Sequence, residues 1–369
     1  MTAVLEVFGH GGDLVTAAER FGVEVGQFVD FSANINPLGP PARVLEGLRE
    51  VLPRVVHYPD PGHRSFRSAL AAKLNLPASW LLPTNGAAEA MALAILALKP
   101  QTVGIVTPCF SEYAQLSRQF GARVLTCPGR EDRGFKPDEA ELDRLFEQAD
   151  LVFVGSPNNP TGLLYEPEEL LRMAGWTDRT DTHLVIDEAF LDFVAEERQF
   201  TLADQLSRFP RVLVMRSLTK MFAIPGLRLG YAVAVPALIE RLRDKQVSWS
   251  VNSLALAAGE LCLEEADYEA KTRRLIAKER SYLSGAIAQE LGWRVWPGEA
   301  NFLLVRCPAQ ITAAELQELL GRRGILIRSC AMYPGLTPGD FRIAVRTRPE
   351  NDRLLTALRD VWRERRERR

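Results

Sequence analysis

The chain has 369 residues, of which 47% are hydrophobic and 25% charged, and this length exceeds what one hydrophobic core usually serves. The composition therefore predicts a globular protein of two packed domains. Its 45 basic and 47 acidic residues leave a net charge of −2, which provides no electrostatic field for nucleic acid or for an anionic membrane. Any anionic ligand must then be recognised by individual basic side chains.

After about residue 43, apolar strands alternate with amphipathic helices, which is typical of an α/β fold with a largely parallel sheet covered by helices on both faces. The predicted strands of this part lie near residues 103–106, 123–126, 151–154, 184–186, 212–215 and 229–234. Beyond about residue 252 the pattern changes to long helices and to short strands near residues 302–305, 325–327 and 342–345. We therefore predict a large domain over residues 43–250 and a smaller α+β domain over residues 251–369.

The cysteines and histidines predict neither disulfides nor a metal site. The five cysteines are scattered and form no Cys-x-x-Cys pair, and the four histidines form no i, i+4 pair. The first ten residues lack a basic start and a long apolar core, and no run approaches the ~18 apolar residues of a membrane span. We expect a cytoplasmic protein with neither an export signal nor a membrane-spanning segment.

Polar motifs follow three of the predicted strands at their carboxyl ends, where open α/β sheets bind their ligands. Asn159 lies in a tight turn, from which its amide can donate to a ring oxygen. Asp187 directly follows an apolar run, and a buried carboxylate there requires a cation such as a protonated pyridine nitrogen. Lys220 presents an amine that can form a Schiff base with a carbonyl cofactor, while Ser217 and Arg228 can hold a phosphate.

Two further segments fit a phosphorylated ring. The helix start at Gly86, Ala87 and Ala88 offers backbone N–H groups, which form a binding site for phosphate. Phe110 follows another strand, where its ring can stack on a flat ligand, although core packing is the commoner fate of phenylalanine.

In these motifs the chain resembles the fold-type I pyridoxal-phosphate enzymes of the aspartate aminotransferase superfamily, over nearly its whole length. The resemblance implies that pyridoxal 5′-phosphate is the cofactor, that Lys220 forms the Schiff base, and that Asp187 pairs with the pyridine nitrogen. It further implies that Asn159 contacts the ring hydroxyl and the substrate, and that Phe110 stacks on the ring.

The same resemblance implies a quaternary arrangement. Tyr58 is similar to the tyrosine that reaches the phosphate of the neighbouring subunit, which implies a homodimer with shared sites. Residues 1–42 form an N-terminal arm that the resemblance assigns to the small domain.

Substrate choice depends on two arginines of the predicted small domain. Arg328 and Arg342 suit a substrate with two anionic groups, since each guanidinium can bind a carboxylate or a phosphate, although surface ion pairs are the alternative. By resemblance, Arg342 binds the α-carboxylate, and Arg328 binds the substrate phosphate as in the histidinol-phosphate aminotransferase branch. The segments around His10, Asn34 and Lys220 resemble the threonine-phosphate decarboxylases of cobalamin biosynthesis, which implies that His10 and Asn34 join Arg328 around that phosphate.

This narrower resemblance implies a lyase that converts L-threonine O-3-phosphate to (R)-1-amino-2-propanol O-2-phosphate and carbon dioxide. The residues leave the reaction type open, because the Cα bond perpendicular to the cofactor ring is the one that breaks and no sequence feature fixes that torsion. An aminotransferase acting on histidinol phosphate or a related amino acid is one alternative. A non-catalytic binding protein of the same fold is another, and the presence of Lys220, Asp187 and Asn159 argues against it.

Overall fold

The computed structural model describes residues 11–367, and the strands of these residues form three sheets. The strands are β1 (Val29–Asp30), β2 (Leu81–Thr84), β3 (Thr102–Thr107), β4 (Arg123–Pro128), β5 (Leu151–Gly155), β6 (His183–Asp187), β7 (Val212–Ser217), β8 (Gly230–Val233), β9 (Arg294–Val295), β10 (Phe302–Arg306), β11 (Ile325–Leu326), β12 (Arg328–Ser329) and β13 (Asp340–Ala344). The α-helices are α1 (Leu14–Phe21), α2 (Ala42–Val51), α3 (Arg64–Leu74), α4 (Gly86–Leu98), α5 (Ser111–Gln119), α6 (Glu139–Gln148), α7 (Pro167–Thr180), α8 (Leu218–Met221), α9 (Pro236–Arg243), α10 (Ser253–Cys262), α11 (Ala266–Ala286), α12 (Ala313–Gly321) and α13 (Arg348–Glu367).

The largest sheet has seven strands in the order β2-β8-β7-β6-β5-β3-β4. Strands β7, β6, β5, β3 and β4 are parallel to one another, whereas β8 is antiparallel to both β7 and β2. Strands β5, β6 and β7 are buried along almost their whole length, which is why they appear in the sequence as continuous apolar runs. The prediction of an α/β fold with a largely parallel sheet is confirmed.

Alternate residues of this sheet face two cores. In β6, Leu184 and Ile186 belong to the main core, which also includes apolar side chains of α11, α12 and α13. Val185 belongs to a second core that includes apolar side chains of α4 and α9. Because side chains alternate across a strand, helices on both faces are needed to cover them.

The smaller sheets join distant parts of the chain. Strands β12, β13, β10 and β9 form an antiparallel sheet in that order, which we call the small sheet. Strand β1 pairs in parallel with β11. The N-terminal arm therefore contacts the C-terminal region, whereas its assignment to a small domain stays a prediction. The domain boundaries at residues 42 and 250 stay a prediction.

The structure differs from the predicted strands in two ways. The strand expected near residues 325–327 is two short strands, β11 and β12, which separate at Ile327 and join different sheets. Strands β1, β2 and β9 were not predicted, since β1 and β9 have two residues each and β2 contains Pro83, a residue that argues against a strand in the sequence. Along residues 11–367, no helix combines the length and the apolar composition that crossing a membrane requires.

Candidate active site

A cavity of about 580 Å³ lies at the carboxyl ends of the parallel strands. The predicted site residues that line it are Asn34, Ala87, Ala88, Phe110, Asn159, Asp187, Ser217, Lys220, Arg228, Arg328 and Arg342. Strands β5, β6 and β7 supply the residues on one side, and β12 and β13 supply the two arginines of the small sheet. The cavity therefore lies between the large sheet and the small sheet.

Lys220 lies in α8, the short helix that directly follows β7. Its amine donates to Thr219 Oγ1 at 3.0 Å. Burial lowers the pKa of Lys220 to about 8; the positive charges of Arg228 and Arg342 also lower it, while Asp187 opposes them. With such a pKa, roughly a tenth of the amine is neutral at pH 7. A neutral amine is the form that attacks a carbonyl.

Asp187 ends β6 and has fixed hydrogen-bond donors on both carboxylate oxygens. Tyr113 donates its hydroxyl to Oδ2 at 2.8 Å, and the Ala189 backbone N–H donates to Oδ1 at 3.0 Å. Burial raises the pKa of Asp187, while these two hydrogen bonds and the charge of Lys220 lower it. A nearby cation would therefore favour the ionised carboxylate, as the pyridine-nitrogen assignment requires.

Asn159 follows β5 and is oriented by Arg342. Arg342 Nη1 donates to Asn159 Oδ1 at 2.5 Å, and its Nη2 donates to the Ser32 carbonyl at 2.7 Å. Because a guanidinium can only donate, the amide oxygen of Asn159 must face Arg342, which leaves Nδ2 as the end that can donate to a ligand.

The start of α4 forms a compact cradle with Arg228. A Cβ on Gly86, whose φ is +74°, would lie 2.5 Å from Arg228 Nη2, and a Cβ on Gly230 would lie 2.7 Å from the Ala87 backbone nitrogen. Only glycine lets these groups approach so closely. The helix start and the guanidinium together fit a bound phosphate.

Two hydroxyls lie close to the amine of Lys220. Ser217 Oγ and Thr219 Oγ1 lie 2.7 Å apart, and both side chains are buried. Since Thr219 Oγ1 also accepts from Lys220, the two hydroxyls and the amine form a short polar chain along one side of the cavity.

Arg328 and Arg342 are direct cross-strand partners in the antiparallel pair of β12 and β13. Directly paired residues point to the same face of a sheet, and both side chains line the cavity. Arg328 is only 1% exposed, and its Nη2 donates to Met332 Sδ at 3.2 Å. Because two cations on directly paired residues repel each other, anionic groups bound between them would stabilise the arrangement.

The N-terminal arm contributes Asn34 to the cavity. Its side chain is buried, and its amide oxygen has no hydrogen-bond partner within residues 11–367. The neighbouring Asn36 backbone N–H donates to the Lys220 carbonyl at 3.1 Å, which fixes the arm against α8. Because an amide oxygen only accepts, Asn34 Oδ1 could pair with a donor group of a ligand, whereas a phosphate would have to be bound by Asn34 Nδ2.

Among the described residues, two predicted site residues, Gly86 and Tyr58, do not line the cavity. Gly86 lies beneath Arg228, within the cradle. Tyr58 is 80% exposed and stacks on Trp249, with ring centroids 4.6 Å apart. His10 lies outside the described residues.

The side chains that line the cavity without having been predicted as site residues include Glu112, Tyr113, Thr219 and Tyr333. Thr219 and Tyr113 lie close to predicted site residues in the chain, so proximity to Lys220 and Phe110 was a usable signal for them. Tyr333 lies in the turn after β12, where no local pattern marked it. Within residues 11–367 there is no cluster of three His, Cys, Asp or Glu side chains that could hold a metal ion.

Residues 26–358 match the sequence profile of the family "Aminotransferase class I and II". The chain belongs to this family. That membership confirms the predicted family, fold class and cofactor, pyridoxal 5′-phosphate.

Three relatives illustrate the similarity. The chain is 41% identical over 353 residues to the threonine-phosphate decarboxylase of Salmonella typhimurium, covering 95% of this chain and 96% of the relative. It is 35% identical over 334 residues to a histidinol-phosphate aminotransferase of Symbiobacterium thermophilum, covering 90% of each. The crystal structure of L-threonine-O-3-phosphate decarboxylase from Porphyromonas gingivalis superposes with a TM-score of 0.81 at 27% identity, covering 90% of this chain and 99% of that one.

We predict that Gly230→Ala weakens cofactor binding by about 10-fold or more, because the new methyl group would push the start of α4 away from β8. Equilibrium dialysis with pyridoxal 5′-phosphate measures the change. Gly175→Ala is the matched control, since a Cβ at this position of α7 meets no atom within 4 Å. Unchanged affinity in Gly230→Ala would contradict the cradle.

The lowered pKa of Lys220 predicts how fast the cofactor-free protein bonds covalently to pyridoxal 5′-phosphate at different pH. Since only the neutral amine reacts, the rate should rise about 10-fold per pH unit below the pKa of about 8 and level off above it. Stopped-flow absorbance follows the reaction. A midpoint near the ordinary lysine value of 10.5 would contradict the lowered pKa.

Proposed function

We propose that the chain is a pyridoxal-phosphate-dependent lyase that decarboxylates L-threonine O-3-phosphate to (R)-1-amino-2-propanol O-2-phosphate, as a step of cobalamin biosynthesis. The observation that carries this proposal is the pair Arg328 and Arg342, which share one face of the small sheet and line the same cavity as Lys220. A substrate with one phosphate and one carboxylate matches this pair. The similarity to the Salmonella typhimurium decarboxylase supports the same substrate.

Different cavity residues would hold the different groups of the cofactor. Lys220 would bond to its carbonyl carbon, Asp187 would pair with the ring nitrogen, and Asn159 Nδ2 would donate to the ring oxygen. Phe110 would stack on the ring. The phosphate would lie at the cradle, which is formed by Gly86, Ala87 and Ala88 at the start of α4 and by Arg228. Ser217 would donate its hydroxyl to the same phosphate.

The substrate would be held from the small sheet and the arm. Arg342 would bind the α-carboxylate while keeping its bond to Asn159, so that substrate and cofactor contacts share one guanidinium. Arg328 and Asn34 would bind the distal phosphate, together with His10, which lies outside the described residues. Burial of Arg328 excludes water from that contact and strengthens the electrostatic attraction.

Bound pyridoxal phosphate supplies an electron sink for the electron pair released when a bond at the substrate's Cα breaks. The protein must orient the carboxylate perpendicular to the cofactor ring, and two arginines that fix both ends of the substrate can set that torsion. With the carboxylate so held, the bond from Cα to it would break and release carbon dioxide. Lys220 would then donate a proton to Cα, which its pKa of about 8 allows near neutral pH.

A histidinol-phosphate aminotransferase is the second candidate, because a relative of that name is 35% identical over 90% of the chain. We predict that the purified protein releases carbon dioxide from threonine phosphate without a keto-acid acceptor. Trapping of released carbon dioxide measures this activity, and Lys220→Ala is the inactive control. Conversion of histidinol phosphate that depends on 2-oxoglutarate, without carbon dioxide release, would favour the aminotransferase instead.

We predict that Arg328→Ala weakens binding of threonine phosphate by roughly 1.5–3 kcal/mol, the range for a charged hydrogen-bonding partner, and leaves cofactor affinity unchanged. Unphosphorylated threonine should be processed equally poorly by variant and wild type. Arg228→Ala is the matched comparison, since it should release cofactor and impair every substrate. Steady-state kinetics with both substrates separates the outcomes, and equal penalties for threonine and its phosphate would contradict the assignment of Arg328.

We further propose a cytoplasmic homodimer in which Tyr58 reaches the partner's cofactor phosphate. Apolar side chains near Tyr58 in sequence or in space are also exposed, namely Leu52, Val55, Val56, Val247 and Trp249. Such a concentration of exposed apolar groups is typical of a protein interface. The scattered cysteines of the sequence support the reducing compartment.

If sites are shared, inactive Lys220→Ala subunits mixed with inactive Tyr58→Ala subunits should regain activity. Each mixed dimer would contain one site with both residues, as two-fold symmetry requires. Activity should approach about half that of a wild-type dimer in the heterodimer fraction. No recovery after verified subunit exchange would contradict the shared site.

A further inference from the structure

Tyr113 is a buried side chain of α5 that the reaction described above does not use. It is 2% exposed, lines the cavity and donates its hydroxyl to Asp187 Oδ2. Because Ala189 occupies the other oxygen, the carboxylate of Asp187 has one fixed donor on each side and cannot rotate without losing a hydrogen bond.

The ring of Tyr113 is itself held between two aromatic rings. It stacks on Phe153, with centroids 5.2 Å apart and planes 8° apart, and it meets the ring of Phe110 edge to face, with centroids 5.8 Å apart. Phe110 is the ring that we expect to stack on the cofactor. Tyr113 therefore connects the residue at the cofactor's face to the residue at its ring nitrogen.

Gly155 keeps the path between Tyr113 and Asp187 open. In the parallel pairing of β5 and β6, Gly155 lies directly opposite Asp187. A Cβ at Gly155 would lie 3.2 Å from the Tyr113 hydroxyl oxygen, closer than such atoms normally approach. The absence of a side chain at this position therefore lets the phenol reach across β5.

We propose that Tyr113 is a positioning residue that keeps Asp187 ionised and directed at the pyridine nitrogen of the cofactor. This inference rests on the proposed function, since it assumes that Asp187 pairs with that nitrogen.

The groups around Asp187 determine the direction in which loss of Tyr113 shifts the pKa of this carboxyl. Burial raises the pKa of Asp187, and the nearby Glu112 raises it further, whereas Tyr113, Ala189 and Lys220 lower it. A hydrogen bond to the charged form favours that form. Loss of the phenol therefore raises the pKa of Asp187, so that the carboxyl becomes neutral, and unable to pair with a cation, at a higher pH than in the wild type.

The test compares Tyr113→Phe with wild type in binding two ligands across a range of pH. The ligands are pyridoxal 5′-phosphate and its 1-deaza analogue, which has carbon in place of the ring nitrogen. Tyr165→Phe, at a buried tyrosine of the main core, is the matched control. Equilibrium dialysis gives the dissociation constants.

We expect Tyr113→Phe to weaken binding of pyridoxal 5′-phosphate by about 10-fold or more, the range for a hydrogen bond to a charged group. The loss of affinity on acidification should begin at higher pH. Affinity for the deaza analogue should change by less than about twofold, since no ring nitrogen is present to pair with Asp187. Gly155→Ala, which displaces the phenol without removing it, should shift binding in the same direction by a smaller factor.

Equal loss of affinity for both ligands in Tyr113→Phe would overturn the proposal, because it would show a purely structural role. An unchanged pH dependence would also overturn it. If the wild type bound both ligands alike at every pH, the pairing of Asp187 with the ring nitrogen would itself be wrong. The wild-type measurement therefore tests the pairing of Asp187 with the ring nitrogen, and the Tyr113→Phe measurement tests the role of Tyr113.

Discussion

The parallel register of β5, β6 and β7 is the constraint on which the site depends. Gly155, Asp187 and Met215 are aligned across these strands, so the loops that follow them leave the sheet at the same edge. The pairing continues one residue further, since the Ser156 N–H donates to the Asp187 carbonyl and the Glu188 N–H donates to the Met215 carbonyl. A slip of one residue in any strand would turn its terminal side chain to the other face of the sheet. The positions of the carboxylate and of the two adjoining turns are therefore set by backbone hydrogen bonds.

The cavity is rich in positively charged side chains. Lys220, Arg228, Arg328 and Arg342 converge on a cavity whose acidic lining includes Asp187 and Glu112. The local concentration of positive charge contrasts with the net charge of −2 for the whole chain. Together with burial, which is the larger cause, the charges of Arg228 and Arg342 lower the pKa of Lys220, and the positive cavity is complementary to the phosphate and carboxylate groups of the proposed ligands. The same charges thus favour a reactive amine and anion binding.

Part of this arrangement could be predicted from the sequence because it follows local patterns. Asn159, Asp187 and Lys220 each follow an apolar run, and parallel strands bring such positions to one edge. The pairing of Arg328 with Arg342 could not be predicted, since it depends on the break at Ile327 and on contacts between distant segments. The bond from Tyr113 across Gly155 could not be predicted either, because a glycine at a strand end is equally compatible with a bulge or a sharp bend.

The proposed shared site is a different case, since no single chain would contain it. Tyr58 lies on an exposed apolar surface, and its proposed role requires a second copy of the chain. The local sequence around this tyrosine can suggest a resemblance, but the atoms that it would contact belong to another molecule. The physical signal within one chain is therefore the exposure of aromatic and aliphatic side chains, which water solvates poorly.

Arg342 connects three parts of the site. Its guanidinium donates to Asn159 beside the large sheet and to the Ser32 carbonyl of the arm, while its strand belongs to the small sheet. A carboxylate bound there would contact a group already fixed to three parts of the chain, so little side-chain entropy would remain to be lost. Such preorganisation favours a defined substrate torsion, which is what distinguishes decarboxylation from transamination on the same cofactor. On the proposed function, the reaction type would therefore depend less on the identity of the lysine or the aspartate than on how rigidly Arg342 and Arg328 hold the two ends of the substrate.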